Sequence, residues 1–288
     1  ALFNLALMRL GVEARHHAMP GGSATVLVQK LRGFGRVGVV RRGPVWGASA
    51  RRMRSEGLAG LRAALGLSHL LVTPDAARDD PILARAGFVR VAPPLSVALL
   101  SLDGGPDAWL ARMSPQARTA LSAAKRGGVV VERHDILPDG DHWLFAEEGG
   151  GQRMTTVRSL PHPILAEIAR GAPGAVQVFL ARRDTEALAA MLFLRHGHMA
   201  SFQMGWMTEA GRDIGATTLL AWETMHAMAL CGHGLLDLGP ISGRRAGAVD
   251  AWKLSTGASV HRLGATWLDS AWVAPLHALR RWRARRAD

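Results

Sequence analysis

The amino-acid sequence predicts an α/β protein, in the α+β sense, made of two tandem units, each a mixed, largely antiparallel sheet flanked by helices. Three observations carry this expectation. Apolar runs of strand length end at glycine-bearing turns, while longer stretches free of Gly and Pro place apolar residues at three-to-four spacing, the two periods that separate strand from helix. The order of elements is duplicated. Leu65-Gly66-Leu67-Ser68-His69-Leu70-Leu71-Val72, a short helix and Gly87-Phe88-Val89-Arg90 are matched by Leu230-Cys231-Gly232-His233-Gly234-Leu235-Leu236-Asp237-Leu238, a helix and Gly257-Ala258-Ser259-Val260-His261-Arg262. That separation is far above the roughly 20 to 50 residues of solenoid repeats, so it marks a duplicated unit. Finally, 288 residues suffice for two ordinary cores.

The expected divisions are an N-terminal unit over 1–105, a basic connecting helix and strand over 106–140, a C-terminal unit over 141–268 and a basic amphipathic tail over 269–288. In the first unit, Phe3 to Leu10 is a short amphipathic helix. Ala24 to Lys30 and Gly38 to Arg42 form a hairpin turned at Gly33 and Gly35. Gly43 and Pro44 end the second strand and leave Arg41, Arg42 and Trp46 at its tip. Arg51 to Leu65 is a helix closed by Gly66, His69 to Val72 a buried strand, Pro81 to Ala86 a short helix, and Leu95 to Leu102 a further strand.

Between the units, Ser114-Pro115 opens a helix with Pro at a tolerated first position. Seven-to-eight spacing sets Arg118 near the face of Lys125 or Arg126, where a phosphate chain would lie across them, although a solvated basic face is the more frequent reason for such charges. The second unit begins with a helical region, His142 to Arg170, interrupted by Gly149-Gly150-Gly151, Pro161 and Pro163. Strands Val176 to Arg182, Ala187 to Leu194 and Met199 to Met204 form a meander, followed by a polar loop from Gly205 to Ala216. Thr217 to Cys231 is a helix closed by Gly232. Leu235 to Leu238 is a strand, Ala248 to Leu254 a short helix and Ser259 to Trp267 the last strand.

Composition limits the function classes. The content is 48% hydrophobic and 20% charged, as in soluble globular domains, and no apolar run reaches the roughly 18 to 20 residues of a membrane span. The first twelve residues carry Arg9 and no basic leader, so cytoplasmic residence is expected, with the inner membrane face as its alternative. A single cysteine, Cys231, excludes an internal disulfide. The net charge of +12 rests on arginine, with Lys30, Lys125 and Lys253 the only lysines, and attracts RNA, phosphate-rich cofactors or an anionic membrane. The tail sets Leu276, Leu279 and Trp282 beside Arg280, Arg281, Arg283, Arg285 and Arg286, to lie on a membrane or to pack on its own domain. No metal is expected: His196-x-His198 lacks a third ligand nearby, and no H-E-x-x-H helix occurs.

Arg212-Asp213-Ile214-Gly215-Ala216-Thr217 joins a strand to a helix, where free amides and the helix dipole favour an anion. It resembles the R-x-x-G-x-A pattern with which GNAT-superfamily N-acetyltransferases hold the pyrophosphate of acetyl-CoA, with Thr217 where a smaller residue is usual. Nearly the whole chain resembles the FemAB-like transferases, which join two GNAT units by a basic helix. The markers are Arg42-Gly43-Pro44-Val45-Trp46, the basic helix before Val129-Val130-Val131, Leu219-Leu220-Ala221-Trp222-Glu223, Asp237-Leu238-Gly239, and Trp252-Lys253 ahead of Gly257. The chain departs from the peptidoglycan enzymes of that family in having no tyrosine and no long helical arm.

The resemblance implies transfer of an acyl or aminoacyl group to a primary amine on a small molecule or peptide. The expected donor is acyl-CoA, with aminoacyl-tRNA as the alternative and a non-catalytic nucleic-acid or membrane module as the third reading. Direct attack needs no covalent intermediate: diverging strand amides stabilise the tetrahedral oxyanion, and positioning supplies much of the rate. The expected donor-binding residues are Met204, Gly205, Arg212, Gly215, Ala216 and Thr217. Asp237 is the candidate for contacting or deprotonating the amine, with a structural hydrogen bond to the following turn as its other reading. Lys253, paired with it as a catalytic candidate, is expected to contact a phosphate or carboxylate. Candidate substrate-binding residues are Arg42, Gly43, Trp46, Arg118, Arg126, Arg153 and Gly239.

Overall fold

The computed structural model describes residues 2–48, 51–136, 142–147, 160–242 and 247–273. The tail from 276 to 286 and Arg153 lie outside them. Along the chain the elements are α1 (Leu2–Arg9), β1 (Glu13–Met19), β2 (Gly22–Leu31), β3 (Gly35–Arg41), β4 (Val45–Trp46), α2 (Arg51–Ala59), α3 (Leu61–Ala64), β5 (His69–Thr73), α4 (Asp80–Arg85), β6 (Val89–Ala92) and β7 (Ser96–Ser101). There follow α5 (Gly105–Arg112), α6 (Pro115–Arg126), β8 (Val130–Asp135), α7 (Trp143–Ala146), α8 (His162–Gly171), β9 (Val176–Arg183), β10 (Glu186–His196) and β11 (Met199–Met207). The last are α9 (Glu209–Ile214), α10 (Ala216–Leu230), β12 (Leu235–Ile241), α11 (Ala248–Ser255), β13 (Ser259–Arg262) and β14 (Thr266–Ser270).

The chain divides into two compact units, one of Leu7–Leu95 with Arg262–Asp288, the other of Ala1–Ala6 with Ser96–His261. The first holds a sheet ordered β1-β2-β3-β5-β14-β6, with β4 on β2; the second holds one ordered β13-β7-β12-β11-β10-β9-β8. Both sheets follow one plan. An antiparallel meander leads to a strand that pairs in parallel, β3 with β5 and β11 with β12, and an antiparallel strand follows, β14 on β5 and β7 on β12.

That last strand overturns two expectations. The sequence predicts that the strand from Leu95 to Leu102 closes the N-terminal unit and that Ser259 to Trp267 is one final strand of the C-terminal unit. Instead β7 lies in the second sheet, and residues 259–270 form two strands, β13 and β14, in different sheets. Alternation in a short strand specifies a buried face but not a partner, which is chosen by the contacts it completes. For β14 those contacts are polar. The Asp80 carboxylate accepts from the Ala265 amide at 3.0 Å and the Trp267 indole at 2.9 Å, and a Cβ at Gly264 would come within 2.7 Å of the same carboxylate. For β7, Ala98 and Leu100 enter the core beneath α6 and α10.

Three smaller differences have local causes. The helix over 51–65 breaks at Gly60 into α2 and α3, glycine being a poor interior helix residue. β1 has no counterpart in the sequence reading because Glu13-Ala14-Arg15-His16-His17 is polar on both faces, which an edge strand tolerates. β11 extends through Gly205 to Met207, since Met191, Ala190 and Ala189 of β10 pair with Gly205, Trp206 and Met207. Two cores cover the second sheet. One face packs on α6 and α10, with Trp109, Leu121, Phe193, Leu219 and Met225 inside; the other carries Leu144, Leu165, Ile168, Val178 and Met204. β9 and β10, buried on both faces, therefore read as nearly continuous apolar runs.

Candidate active site

In the second unit the parallel ladder between β11 and β12 is short. It pairs Met199 with Leu235, Ala200 with Leu236 and Ser201 with Asp237, then stops, although β11 runs on to Met207 and β12 to Ile241. Each strand bends where the ladder ends. The register of β11 against β10 shifts between its Phe202 and Met204 pairs, leaving Gln203 as the extra residue, and that of β12 against β7 shifts between Asp237 and Pro240. The first unit has no such split: β3 and β5 pair from Val37 with His69 to Arg41 with Thr73, the last residue of both strands. A split parallel pair turns backbone amides away from the ladder into the gap, where they can face an oxygen that gains negative charge. Among the described residues, only the second unit has this geometry.

The two catalytic candidates meet at the edge of the split. Asp237 is the last residue of β12 to pair with β11, and its Oδ1 accepts from the Gly239 amide at 2.8 Å, which holds the bulge. Gly239 adopts a left-handed φ of 84°, as the bulge requires. Lys253 on α11 points inward: it is 2% exposed and its Nζ donates to the Pro240 carbonyl at 2.8 Å. It is therefore not placed to contact a carrier's phosphate or carboxylate, as expected of it; it fixes the backbone of β12. Burial pushes its pKa below the ordinary lysine value, and Asp250 and then Asp237 oppose that shift. Asp250, missed in the sequence, is buried and accepts from the Ser242 amide at 2.7 Å. Its position three residues before Lys253 on one helix was the available signal. Asp237, Lys253 and Asp250 thus form a buried charged cluster clamping residues 237–242.

The expected pyrophosphate cradle is covered. Gly215, with φ of 79°, begins α10 as expected, but Gly215, Ala216 and Thr217 are buried, and a Cβ on Gly215 would lie 2.8 Å from the Ala120 carbonyl of α6. Ile214 packs in turn against Gly127 at the end of α6, while Arg212 is exposed. Met204 places its side chain in the core with α8. The physical reason is the small-residue face of α6, Ala117, Ala120 and Ala124, which lets the helix approach the start of α10 closely. A motif on one helix carries no information about what packs over it.

The basic helix keeps Arg118, Lys125 and Arg126 exposed, although two of them also make contacts within the unit. Arg118 donates from Nη1 to the carbonyls of Leu110 and Met113, at 3.2 and 3.0 Å, and so caps the end of α5. Lys125 lies 5.1 Å from the ring centre of Trp222, while Arg126 is exposed. The first unit gathers Arg42 and Trp46 around an open cavity of about 550 Å³ together with Arg54, Asp75 and Arg78. Arg42, at a left-handed φ of 50°, donates to Asp75 at 2.6 Å, and the Gly43 amide donates to Thr73. Arg54 lies over the Trp46 ring at 5.6 Å; the indole Nε1 and the Arg54 Nε are buried without a partner among the described residues. His196 bonds Ser201 at 2.7 Å, and no described group of three His, Cys, Asp or Glu side chains is arranged to hold a metal.

Residues 116–254 match the model of the acetyltransferase (GNAT) domain, and they include the split, Asp237 and Lys253. The fold is similar to that of the crystal structure of FemX, with a TM-score of 0.75 at 15% identity, covering 97% of this chain and 93% of that one. It is also similar to the C-terminal domain of a putative lysylphosphatidylglycerol synthetase from Agrobacterium fabrum, at a TM-score of 0.55, 16% identity and coverage of 92% and 86%. L-PGS from Bacillus licheniformis matches with a TM-score of 0.55 at 12% identity, covering 96% and 90%. No curated protein sequence matches this chain. Residues 116–254, within the second unit, thus make up a GNAT acyltransferase domain, and both sheets follow one strand plan in a fold similar to that of FemX.

Proposed function

We propose that this enzyme moves an aminoacyl group, held as an ester on the end of a tRNA, to a primary amine at the split between β11 and β12. The observation that carries the site is the end of the parallel ladder at Ser201 and Asp237 in the second unit against full pairing in the first. The amine nitrogen attacks the ester carbonyl, an amide bond forms, and the ester C–O bond breaks to leave a hydroxyl on the carrier. The amine gives up one proton and the departing oxygen gains one, so no other reactant is needed. Amides turned into the split stabilise the tetrahedral oxyanion, and the ester is already activated, so positioning does much of the work. Asp237 acts by holding the bulge through the Gly239 amide, and Lys253 by holding Pro240.

The choice of donor rests on the start of α10. Buried Gly215, Ala216 and Thr217 beneath Ala120 leave little room for a pyrophosphate, whereas +12 of net charge suits a polyanionic carrier. The similar fold of the C-terminal domain of a putative lysylphosphatidylglycerol synthetase is in keeping with aminoacyl transfer. Acyl-CoA is the second reading, favoured by the Arg212-to-Thr217 pattern and the GNAT match. The arginine-lined cavity of Arg42, Arg54 and Arg78 in the first unit is proposed to bind an anionic group.

Titration with aminoacyl-tRNA and acetyl-CoA separates the donors. Aminoacyl-tRNA should bind with affinity that falls steeply with salt and should support transfer to a model amine. Saturable turnover with acetyl-CoA and none with the ester would overturn the donor assignment. Asp237→Asn keeps an acceptor for the Gly239 amide and should retain transfer within about tenfold, whereas Asp237→Ala should lose more. A loss of roughly 10² to 10⁴ in a folded Asn variant would instead make Asp237 the general base.

A further inference from the structure

The hairpin of β2 and β3 ends in Lys30-Leu31-Arg32-Gly33-Phe34-Gly35, all of it exposed. Leu31 and Phe34 show 44% and 51% of their surface to solvent, an unusual arrangement for the tip of a tight turn, where polar residues are the norm. Gly33 and Gly35 carry positive φ, so the turn is set by the backbone and would form without either apolar side chain. The tip does not stand alone. Trp272, from the other end of the chain, is placed by the turn after β14, where its amide donates to the Ser270 hydroxyl, and its ring lies 5.7 Å from that of Phe34. Trp272 is 64% exposed and its other neighbour is buried His69, at 4.5 Å. Two segments remote in sequence thus converge to expose an aliphatic and two aromatic side chains together.

Their charged surroundings are of one sign. Lys30 and Arg32 flank the apolar residues and form no ion pair among the described residues, whereas Arg36, farther along β3, is neutralised by Glu13. The sequence beyond Trp272 adds Arg280, Arg281, Arg283, Arg285 and Arg286. Aromatic rings with cations at their rim suit the headgroup region of a bilayer, where the rings sit at the acyl boundary and the cations meet anionic lipid. A convex tip carrying an aliphatic Leu31 lacks the groove that tracks a nucleic-acid strand. A symmetric contact with a second copy would bring Lys30 and Arg32 against their own equivalents.

We propose that the β2–β3 tip and Trp272 form an interfacial anchor that docks the enzyme on an anionic phospholipid surface. The anchor stands independently of the donor and of the reaction. Sedimentation of the full chain with vesicles of mixed phosphatidylcholine and phosphatidylglycerol should show binding that pure phosphatidylcholine vesicles do not support and that weakens with salt. Phe34→Ser with Trp272→Ser, and separately Lys30→Glu with Arg32→Glu, should each reduce partitioning at least tenfold while thermal melting stays as in the parent chain. Brominated phosphatidylcholine in the mixed vesicles should quench tryptophan fluorescence less in Trp272→Phe than in the parent. Parental binding by both double variants would overturn the proposal and leave the arginines beyond Trp272 as the anchor. So would loss of single-stranded RNA binding or of a concentration-dependent dimer in those variants with vesicle binding unchanged.

Discussion

Gly215→Ala tests how closely α6 covers the start of α10, on which the choice of donor depends. Two costs add at this position. Gly215 has a φ of 79°, and a left-handed conformation costs an L-residue with a Cβ about 1 to 2 kcal/mol. The new methyl would also lie 2.8 Å from the Ala120 carbonyl oxygen and 2.9 Å from its Cβ, and both atoms belong to a packed helix that cannot swing aside like the end of a long side chain. Overpacking of this kind costs about 1 to 3 kcal/mol. The sum, about 2 to 5 kcal/mol, is a large share of the roughly 5 to 15 kcal/mol that holds a domain folded. Urea unfolding followed by far-UV circular dichroism, with hydrogen exchange to localise the loss, should show it in α6 and α10. An Ala120→Gly background removes the methyl contact but not the carbonyl contact or the φ cost, so it should recover part of the loss and no more. A loss below about 0.5 kcal/mol, accompanied by saturable binding of acetyl-CoA, would refute the closed cradle and with it the preference for an ester on tRNA.

Two further outcomes follow from the packed groups around the site. Lys253→Met should destabilise the fold by about 1 to 3 kcal/mol, because the Pro240 carbonyl loses its lysine donor. Because the folded-state pKa of Lys253 lies below the unfolded value of 10.5, the unfolded chain holds its proton in the interval between them. This residue therefore makes stability rise with pH across that window, and urea midpoints of parent and variant compared up to pH 10.5 should lose that rise in the variant. Identical slopes would mean that Lys253 is not desolvated. Arg118→Ala should cost about 1 kcal/mol through the lost cap on α5, measured by thermal melting, and leave the salt dependence of donor affinity unchanged. A clear drop in the salt slope would return Arg118 to the phosphate contacts.

What the sequence determined by itself is local. The strands of the meander, the helix from Thr217, the glycine turns at Gly33 and Gly35 and the short helix bearing Lys253 follow from periodicity and from residues that tolerate special backbone angles, which act within a few positions of themselves. The duplication was legible for the same reason, as a repeated order of such elements. Asp237 and Lys253 could be singled out, but only as types at marked positions.

Tertiary structure alone decided which sheet receives β7 and β14, since neither strand's alternation names its neighbour and the Asp80 contacts to Ala265 and Trp267 arise between distant segments. It decided that β11 and β12 part after Ser201 while β3 and β5 stay paired, because a bulge is a property of two strands in register rather than of either one. It decided that Lys253 turns inward to Pro240 and that Ala120 closes over Gly215, since a charged side chain's partners and a helix terminus's exposure depend on what packs against them.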